Sequence, residues 1–261
     1  MTDNSFILNG MRWSYSALNT YETCPAAFKM IYIDGTKRSQ NAFAEWGSLM
    51  HKILEQYYTG EIELFDLPEK YDEAYAEYVK HRFPFNRFAN LNHTYKDSGR
   101  DYFAAFEDPF HKYEIVGVEQ RFETKICGHS FIGVIDLILR DKNSGYFTIC
   151  DHKSHKFKNK SEISDYLKQL YLYSEHIKEQ FGEYPRQLVF NPLRGDDGPI
   201  HNAFDPAEHE KTLKWFDDTV KKIYADEHFA CLPDKFYCDN LCSVNSFCRE
   251  SRHYIGDDDA D

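Results

Sequence analysis

Three apolar segments follow one another closely in the middle of the chain, and they constrain the fold more than any other feature. They read EIVGVEQRFETKI (114–126), SFIGVIDLILR (130–140) and YFTICD (146–151). The breaks between them, CGH and DKNSG, are short and turn-like. Strands joined by such short turns pair antiparallel with their neighbours, so the segments predict a three-stranded meander.

Helical spacing of apolar residues predicts four helices around this meander. The first runs from about Ser16 to Ile31, with Ser14 or Ser16 as its cap; the others cover about 44–58, 161–180 and 206–225. The segment RQLVF predicts a fourth strand, and residues 66–112 predict a mixture of helix and loop. There is no internal repeat and no low-complexity linker.

Composition bounds the class of protein. The 261 residues are 42% hydrophobic, which suits one large domain or two small ones. The net charge of -12 disfavours non-specific electrostatic binding of nucleic acid over the whole surface, although a local basic patch can still bind it. No run of 18 apolar residues predicts a membrane span, and the N-terminus lacks the pattern of a signal peptide. We therefore expect a reducing cytoplasm, where the seven cysteines serve as thiols or metal ligands rather than disulfides. No GxxxxGK[ST] phosphate loop for ATP occurs.

An aspartate, Asp136, interrupts the most apolar of the predicted strands, where an unpaired carboxylate would be costly. Folding the hairpin about its DKNSG turn places Asp136 close to Asp151. Folding the preceding hairpin brings Glu119 toward Asp136. Lys153 lies two residues after Asp151 and so shares its face of the strand. Three carboxylates and one lysine are thus predicted to converge.

Carboxylate oxygens are the ligands that magnesium and manganese prefer. A lysine beside such a site can orient a water or stabilise the charge of a phosphate, and the combination is suited to metal-assisted phosphodiester hydrolysis. The alternative is an ordinary salt bridge between Asp151 and Lys153 at a strand edge, which the D-x-K pattern taken alone favours.

Three further patterns lie around this group. GSLMH places Gly47 and His51 on one helical face, where the histidine is either a metal ligand or an ordinary half-buried side chain. QLYLY places Gln169 and Tyr173 one turn apart, in reach of a phosphate or base, or on a solvated face. DHKSHKFKNK is either a docking site for a nucleic-acid backbone or a solvated loop, and its lysines are Lys153, Lys156, Lys158 and Lys160.

Four cysteines suggest a second site. Cys238, Cys242 and Cys248 crowd the C-terminal tail with spacing C-x3-C-x5-C, and Cys24 lies far off in ETCP. Four thiolates can hold an iron–sulfur cluster or a zinc ion. The spacing alone also fits three reduced cysteines in a loop and one core cysteine.

In this order the segments SYSALNTYETCPAAFKMIYI, GSLMH, GVIDLIL, DHKS and QLYLY resemble the PD-(D/E)XK nuclease superfamily. They are most similar to its RecB-like branch, which includes AddB-type nuclease domains, CRISPR-associated exonucleases and phage relatives. The resemblance spans about Ser14 to Cys248. It implies an α/β fold with a restriction-endonuclease-like core, in which helices flank a mixed sheet, and hydrolysis of DNA, often from an end, with Mg²⁺ or Mn²⁺.

The resemblance also implies roles for individual residues. Asp136, Asp151 and Lys153 match the catalytic set, and His51, Asp136 and Asp151 match the metal ligands, with Glu119 a weaker match. Gln169 and Tyr173 match the Gln-x-x-x-Tyr motif of this branch. Together with Lys156 and Lys158 of the basic segment, they are the predicted DNA contacts. Two departures stand out, because Ile135 replaces the Pro of the superfamily's name and Asp151 stands where many members have Glu.

For the cysteines, the resemblance implies a [4Fe–4S] cluster held by one cysteine before the histidine motif and three near the C-terminus. Cys24, Cys238, Cys242 and Cys248 match in order, and the cluster would clamp the N- and C-terminal segments together. The first gap has three residues where two are common, which leaves zinc or a lost cluster open. The remaining cysteines, Cys127, Cys150 and Cys231, are predicted not to be ligands.

The domain prediction is a single nuclease domain over residues 1–261. Its parts are N-terminal helices (1–60), a helical insertion (61–113), a catalytic core (114–195), and a C-terminal helix with the cysteine segment (196–261). The leading function is a metal-dependent DNA exonuclease of recombination, repair or phage DNA processing. The alternatives are a structure-specific or flap endonuclease and a catalytically silent DNA-binding scaffold. The expected partner is DNA, as a single-stranded segment or end, and a helicase or recombination partner stays open.

Overall fold

A five-stranded mixed sheet forms the centre of the computed structural model, which describes residues 4–195 and 198–255. The strands lie in chain order across the sheet: β1 (Tyr113–Ile126), β2 (His129–Asp141), β3 (Phe147–Lys153), β4 (Gln187–Pro192) and β5 (Ile200–Ala203). β1, β2 and β3 form the antiparallel meander that the sequence predicts. β4 runs parallel to β3, and β5 pairs antiparallel with β4. The sheet and its flanking helices agree with the expected α/β fold.

Helices precede the meander, link β3 to β4 and follow β5. They are α1 (Ser5–Asn9), α2 (Tyr15–Thr23), α3 (Pro25–Phe28), α4 (Ala42–Tyr58), α5 (Leu67–Tyr78), α6 (Leu91–Ala104), α7 (Lys160–Phe181), α8 (Pro206–Ala225) and α9 (Lys235–Asn240). A crossover through a helix is what parallel strands such as β3 and β4 require. In the described ranges, no helix is both long enough and apolar enough to cross a membrane.

The prediction of one continuous helix from Ser16 to Ile31 is wrong. Ser14 caps α2, its Oγ accepting a hydrogen bond from the Ala17 amide at 3.2 Å, but the helix ends at Thr23. Cys24 is extended, with φ −159° and ψ 103°, because a following proline disfavours the helical conformation. Pro25 then starts α3, and one π-helical turn follows at Lys29–Ile33. Cys24 therefore lies in a kink between two helices.

Both faces of the sheet are covered. Successive residues of β3 point to opposite faces, so Ile149 joins a core with α2, α7 and α8, whereas Cys150 joins a smaller cluster that includes Phe110 and Leu137. α4, α5 and α6 pack together around Trp46 in a third cluster. Burial on both faces explains why Ile149 and Cys150 are both apolar although they point in opposite directions.

Candidate active site at the ends of the central strands

Strand pairing brings three acidic residues together. β1 and β2 pair on both sides of Glu119, in a register that puts Glu119 opposite Asp136. In the β2–β3 register Leu137 faces Cys150, so the next pair along these strands is Asp136 and Asp151. This is the convergence that the turn lengths predict.

His51 reaches this group from α4. Its Nδ1 lies 3.5 Å from Glu119 Oε1 and 3.6 Å from Asp136 Oδ2. Its Nε2 lies 3.0 Å from the carbonyl oxygen of His152, so the Nε2 proton is donated to that carbonyl. A hydrogen bond of this kind fixes the tautomer of a neutral imidazole and directs the other nitrogen at a metal. Once His51 has lost its Nδ1 proton, the lone pair of Nδ1 would point toward the two carboxylates.

Gly47 allows α4 to lie close to the end of β3. A Cβ atom at Gly47 would lie 3.2 Å from both Cβ and Oγ of Ser154, which is tighter than ordinary van der Waals contact. Gly47 is one helical turn before His51, so this close approach sets the position of the histidine over the strand ends.

A second network holds Asp151 and Lys153. Lys153 Nζ is 2.8 Å from Asp151 Oδ2 and donates to Gln169 Oε1 at 2.8 Å. Gln169 Nε2 donates to Asp151 Oδ1 at 2.8 Å and to the Tyr173 hydroxyl at 3.1 Å. Both members of the ion pair are largely buried, and removing either would leave an uncompensated charge. The salt bridge predicted as the alternative is therefore present, but as part of a larger polar network.

Several neighbours of this network are not predicted by the sequence reasoning. The ammonium of Lys153 lies 4.7 Å from the ring centroid of Tyr166 and 5.5 Å from that of Phe190, in cation–π range. The His152 amide donates to Asp136 Oδ2 at 2.6 Å, and its ring Nδ1 lies 3.0 Å from Asn191 Nδ2. Asn191 interrupts the apolar run of β4 beside the end of β3. In the sequence, this interruption of the apolar pattern would have marked Asn191 as a candidate site residue.

Burial and mutual repulsion shape the protonation of the group. Burial raises the pKa of Asp136 to about 7, although His51 opposes the shift. Burial disfavours the charged form of His51, but Asp136 and Glu119 outweigh it and raise the pKa of His51 to about 9. Burial lowers the pKa of His152 well below its usual value, so His152 is neutral. Asp136 and His51 must lose their protons to act as metal ligands.

The donor set fits a hard divalent cation. Among the described residues, one group of at least three possible ligands has its ligand atoms all within 4.8 Å of one another, and it consists of His51, Glu119 and Asp136. Glu119, the weaker match in sequence, belongs to this group, whereas Asp151 does not. Asp151 Oδ2 is nevertheless buried without a well-aligned hydrogen bond, although Lys153 is near. Its role as a ligand stays a prediction.

The predicted DNA contacts lie in different settings. Lys156 and Lys158 are exposed beside the site. The Gln169 amide is engaged with Asp151 and Lys153, and Tyr173 is buried. These two side chains therefore brace the acid–lysine pair, and direct contact with DNA stays a prediction for all four residues.

The four predicted cysteine ligands line one small cavity between the α2–α3 kink and the tail. Cys231, predicted not to be a ligand, lines it too. Burial raises the pKa of the Cys231 thiol to about 12, and the adjacent thiols of Cys24 and Cys248 add to the shift. The other two cysteines lie elsewhere: Cys127 is exposed, and Cys150 is buried under the sheet.

Comparisons with known proteins bear on the fold and the family of the chain. The crystal structure of a candidate exonuclease from Eubacterium rectale is 13% identical, with a TM-score of 0.54 over 95% of this chain and 93% of that one, and at such identity the likeness shows a shared fold. The structure of SSO0001 is 15% identical over 78% of this chain and 96% of that one, with a TM-score of 0.34. No curated protein matches the sequence. The family model of the PD-(D/E)XK nuclease superfamily matches residues 12–249, nearly the whole length, and the chain belongs to this superfamily.

Proposed function

We propose that the protein is a metal-dependent deoxyribonuclease that acts as an exonuclease in DNA recombination, repair or phage DNA processing. The observation that carries the proposal is the clustering of His51, Glu119 and Asp136 beside the buried pair Asp151–Lys153, in a chain of a nuclease superfamily. The similar Eubacterium rectale structure is that of a candidate exonuclease, which supports the exonuclease assignment.

In this proposal His51, Glu119 and Asp136 hold Mg²⁺ or Mn²⁺, with Asp151 as a further ligand. A divalent cation there would supply an activated water and neutralise the charge of the scissile phosphate. His152 orients two of these groups, because its carbonyl accepts from His51 and its amide donates to Asp136. Such hydrogen bonds fix the ligands before substrate arrives.

Lys153 provides the positive charge of the site. Its ammonium is held by Asp151, Gln169 and the ring of Tyr166. A charge fixed in this way needs no reorganisation as negative charge develops on the phosphate oxygens, and that is the main source of electrostatic catalysis. Lys156 and Lys158 would contact the DNA backbone, and the DNA would enter as a single-stranded segment or end.

A comparison of DNA cleavage by the wild type and by Asp136→Asn tests the proposal. We expect wild-type protein to degrade linear DNA in Mn²⁺ and to stop in chelator, and the variant to be inactive and to bind Mn²⁺ more weakly in calorimetry. Asp165→Asn, which changes an exposed carboxylate of α7, is the matched control and retains activity. Full activity of Asp136→Asn, or of wild type in excess chelator, would contradict the proposal.

The same assay separates the alternatives. An exonuclease degrades linear DNA and spares circles, whereas a structure-specific endonuclease cuts a flapped or circular substrate. A silent scaffold binds DNA and cleaves none of these substrates with any divalent metal.

We further propose that Cys24, Cys238, Cys242 and Cys248 hold a [4Fe–4S] cluster, with zinc as the alternative. The observation that supports a metal group is that the four residues line one cavity. Four thiolates gathered in one place can hold either a cluster or a zinc ion.

A further inference from the structure

The segment that joins α5 to α6 differs in charge from the rest of this acidic chain. We call residues 79–90 the 79–90 loop. From Tyr78 to Lys96 the sequence contains no Asp or Glu, although the chain as a whole carries a net charge of -12. The basic residues of this stretch are Lys80, Arg82 and Arg87 in the loop and Lys96 in α6. This charge is complementary to a polyanion.

The same loop exposes two large aromatic side chains. Phe85 is 94% exposed and Phe88 81% exposed, although burying a phenylalanine is worth roughly 1.5–3 kcal/mol. The guanidinium of Arg87 lies 4.4 Å from the ring centroid of Phe88. A surface groove of about 520 Å³ is lined by residues 83–92. Exposed aromatic faces beside arginines are the elements with which proteins bind unpaired bases.

The base of the loop is held firmly, so the two rings project from a fixed support. The Lys80 and His81 amides both donate to Glu45 Oε2 at 2.9 Å. The buried ring of Phe83 stacks on Tyr95 with 4.3 Å between centroids. The Phe83 amide donates to Asn92 Oδ1 at 3.1 Å. A ligand that stacks on such a surface would order few additional groups.

Two connections lead from the loop to the candidate active site. Glu45 lies six residues before His51 in α4, about 9 Å along the helix. Tyr95, on which Phe83 stacks, is covered by the Arg194 guanidinium at 4.1 Å. The residue before Arg194 is Leu193, whose amide donates to the carbonyl of Lys153 at 2.8 Å. A strand of DNA leaving the site along this side would meet cations and aromatic rings.

We propose that the 79–90 loop binds the bases of single-stranded DNA, with Phe85 and Phe88 stacking on unpaired bases and Arg82 and Arg87 contacting phosphates. The inference rests on the proposed function and adds to it a base-stacking surface outside the catalytic group. Stacking on Phe requires unpaired bases, so the loop would select single strands over duplex.

The exposed residue Phe65 provides a matched control. It is 91% exposed, as much as Phe85, but Glu63 and Asp66 flank it. An acidic setting repels a phosphate backbone, so this ring would not contact DNA.

The test measures binding by fluorescence anisotropy of the full chain in chelator, so that no cleavage occurs. The probes are oligothymidylate, an abasic strand of the same length, and a duplex. We expect the double variant Phe85→Ala/Phe88→Ala to bind oligothymidylate at least ~10-fold more weakly, because the bases can no longer stack on aromatic rings. Its affinity for the abasic strand stays that of wild type, and Phe65→Ala binds every probe normally.

The arginines give an independent readout. Arg82→Gln/Arg87→Gln should weaken binding of both the normal and the abasic strand. It should also flatten the salt dependence of log K by about 0.7 for each phosphate that the variant no longer neutralises. The Phe85→Ala/Phe88→Ala variant should leave that slope unchanged.

Wild-type affinity of Phe85→Ala/Phe88→Ala for oligothymidylate would overturn the inference and leave the proposed nuclease function intact. An equal loss of affinity for the abasic strand would overturn base stacking. If Phe85→Ala/Phe88→Ala loses binding to vesicles of anionic lipid but binds DNA as the wild type does, the loop would be assigned to a membrane instead. Absence of DNA binding by the wild type in chelator, together with absence of cleavage in Mn²⁺, would remove the proposed function, and this inference with it.

Discussion

Glu119 shows how a single residue of the candidate site is held at a cost to stability. Its φ of 46° lies in the left-handed region, which residues other than glycine rarely occupy. That conformation costs a residue with a Cβ roughly 1–2 kcal/mol. It occurs just after an irregularity in the β1–β2 pairing and directs the carboxylate to within 3.5 Å of His51 Nδ1. Strain of this kind persists where the surrounding structure imposes it, often at functional sites.

The strain predicts an inverted order of stability between two substitutions at Glu119. In an ordinary strand, a protein with alanine at a given position is more stable to unfolding than the same protein with glycine there. At Glu119 we expect Glu119→Gly to be more stable than Glu119→Ala by roughly 1 kcal/mol, because glycine adopts positive φ without a steric penalty. Denaturant unfolding of both variants in chelator measures the difference. The usual order, alanine above glycine, would show that the backbone at Glu119 is not strained. Both variants should bind Mn²⁺ more weakly than wild type.

Lys153 should act on the reaction rather than on binding. Its ammonium is fixed against Asp151, so Lys153→Ala should lower the cleavage rate by about 10²–10³-fold and leave DNA affinity nearly unchanged. Lys158→Ala is the control with the opposite pattern, since Lys158 is exposed and is proposed to contact the backbone. Single-turnover cleavage and anisotropy separate the two effects. A normal cleavage rate in Lys153→Ala would show that Asp151 and Lys153 form only a structural salt bridge.

At the scale of elements, the meander was predictable because its turns are short. Short turns fix the register, and the register places Glu119, Asp136 and Asp151 together. β5 was not predictable, because it has four residues at the sheet edge. The contact of His152 with Asn191 was not predictable either. It requires β4 to return parallel to β3 through α7, and packing rather than local sequence pattern decides which strand β4 joins.

The position of α4 relative to β3 should depend on Gly47. Gly47→Val places a branched side chain against Ser154 and should move His51 away from the carboxylates, so we expect weaker Mn²⁺ binding and slower cleavage. Ser48→Val is the matched control, because Ser48 is exposed in the same helix and the substitution introduces the same branched side chain there. Removing the opposing side chain with Ser154→Gly should restore part of the missing activity. Equal effects at both positions would assign the loss to helix propensity alone.

At the scale of the whole molecule, the N-terminal segment and the tail are already joined by hydrogen bonds. The Ala26 amide donates to the Ala230 carbonyl at 3.3 Å, and the Ser39 amide to the Ser243 carbonyl at 2.6 Å. The kink at Cys24 and the cysteines of the tail meet in the same region. A metal group bound there would close a loop containing most of the chain. Closing a long loop removes more entropy from the unfolded state than closing a short one, so such a clamp would stabilise the fold.

The cysteine clamp predicts a colour and a stability that disappear together. Purified without oxygen, the protein should be brown and contain about four irons per chain. Cys24→Ala should be colourless and unfold at a lower temperature, because a group that binds only the folded chain adds its binding free energy to stability. Cys127→Ala, at an exposed cysteine away from the cavity, should keep both properties.

Cys231→Ala decides which thiols are ligands. This cysteine lines the cavity together with Cys24 and Cys248, yet the four-cysteine assignment predicts that Cys231→Ala stays brown. If Cys231→Ala is colourless while one of the other four variants keeps its iron, Cys231 replaces that residue in the ligand set. A colourless anaerobic wild type with one equivalent of zinc would make the clamp a zinc site, since thiolates hold either metal. A wild type with neither metal would reject the clamp, and the hydrogen bonds between the N-terminal segment and the tail would then hold these regions together unaided.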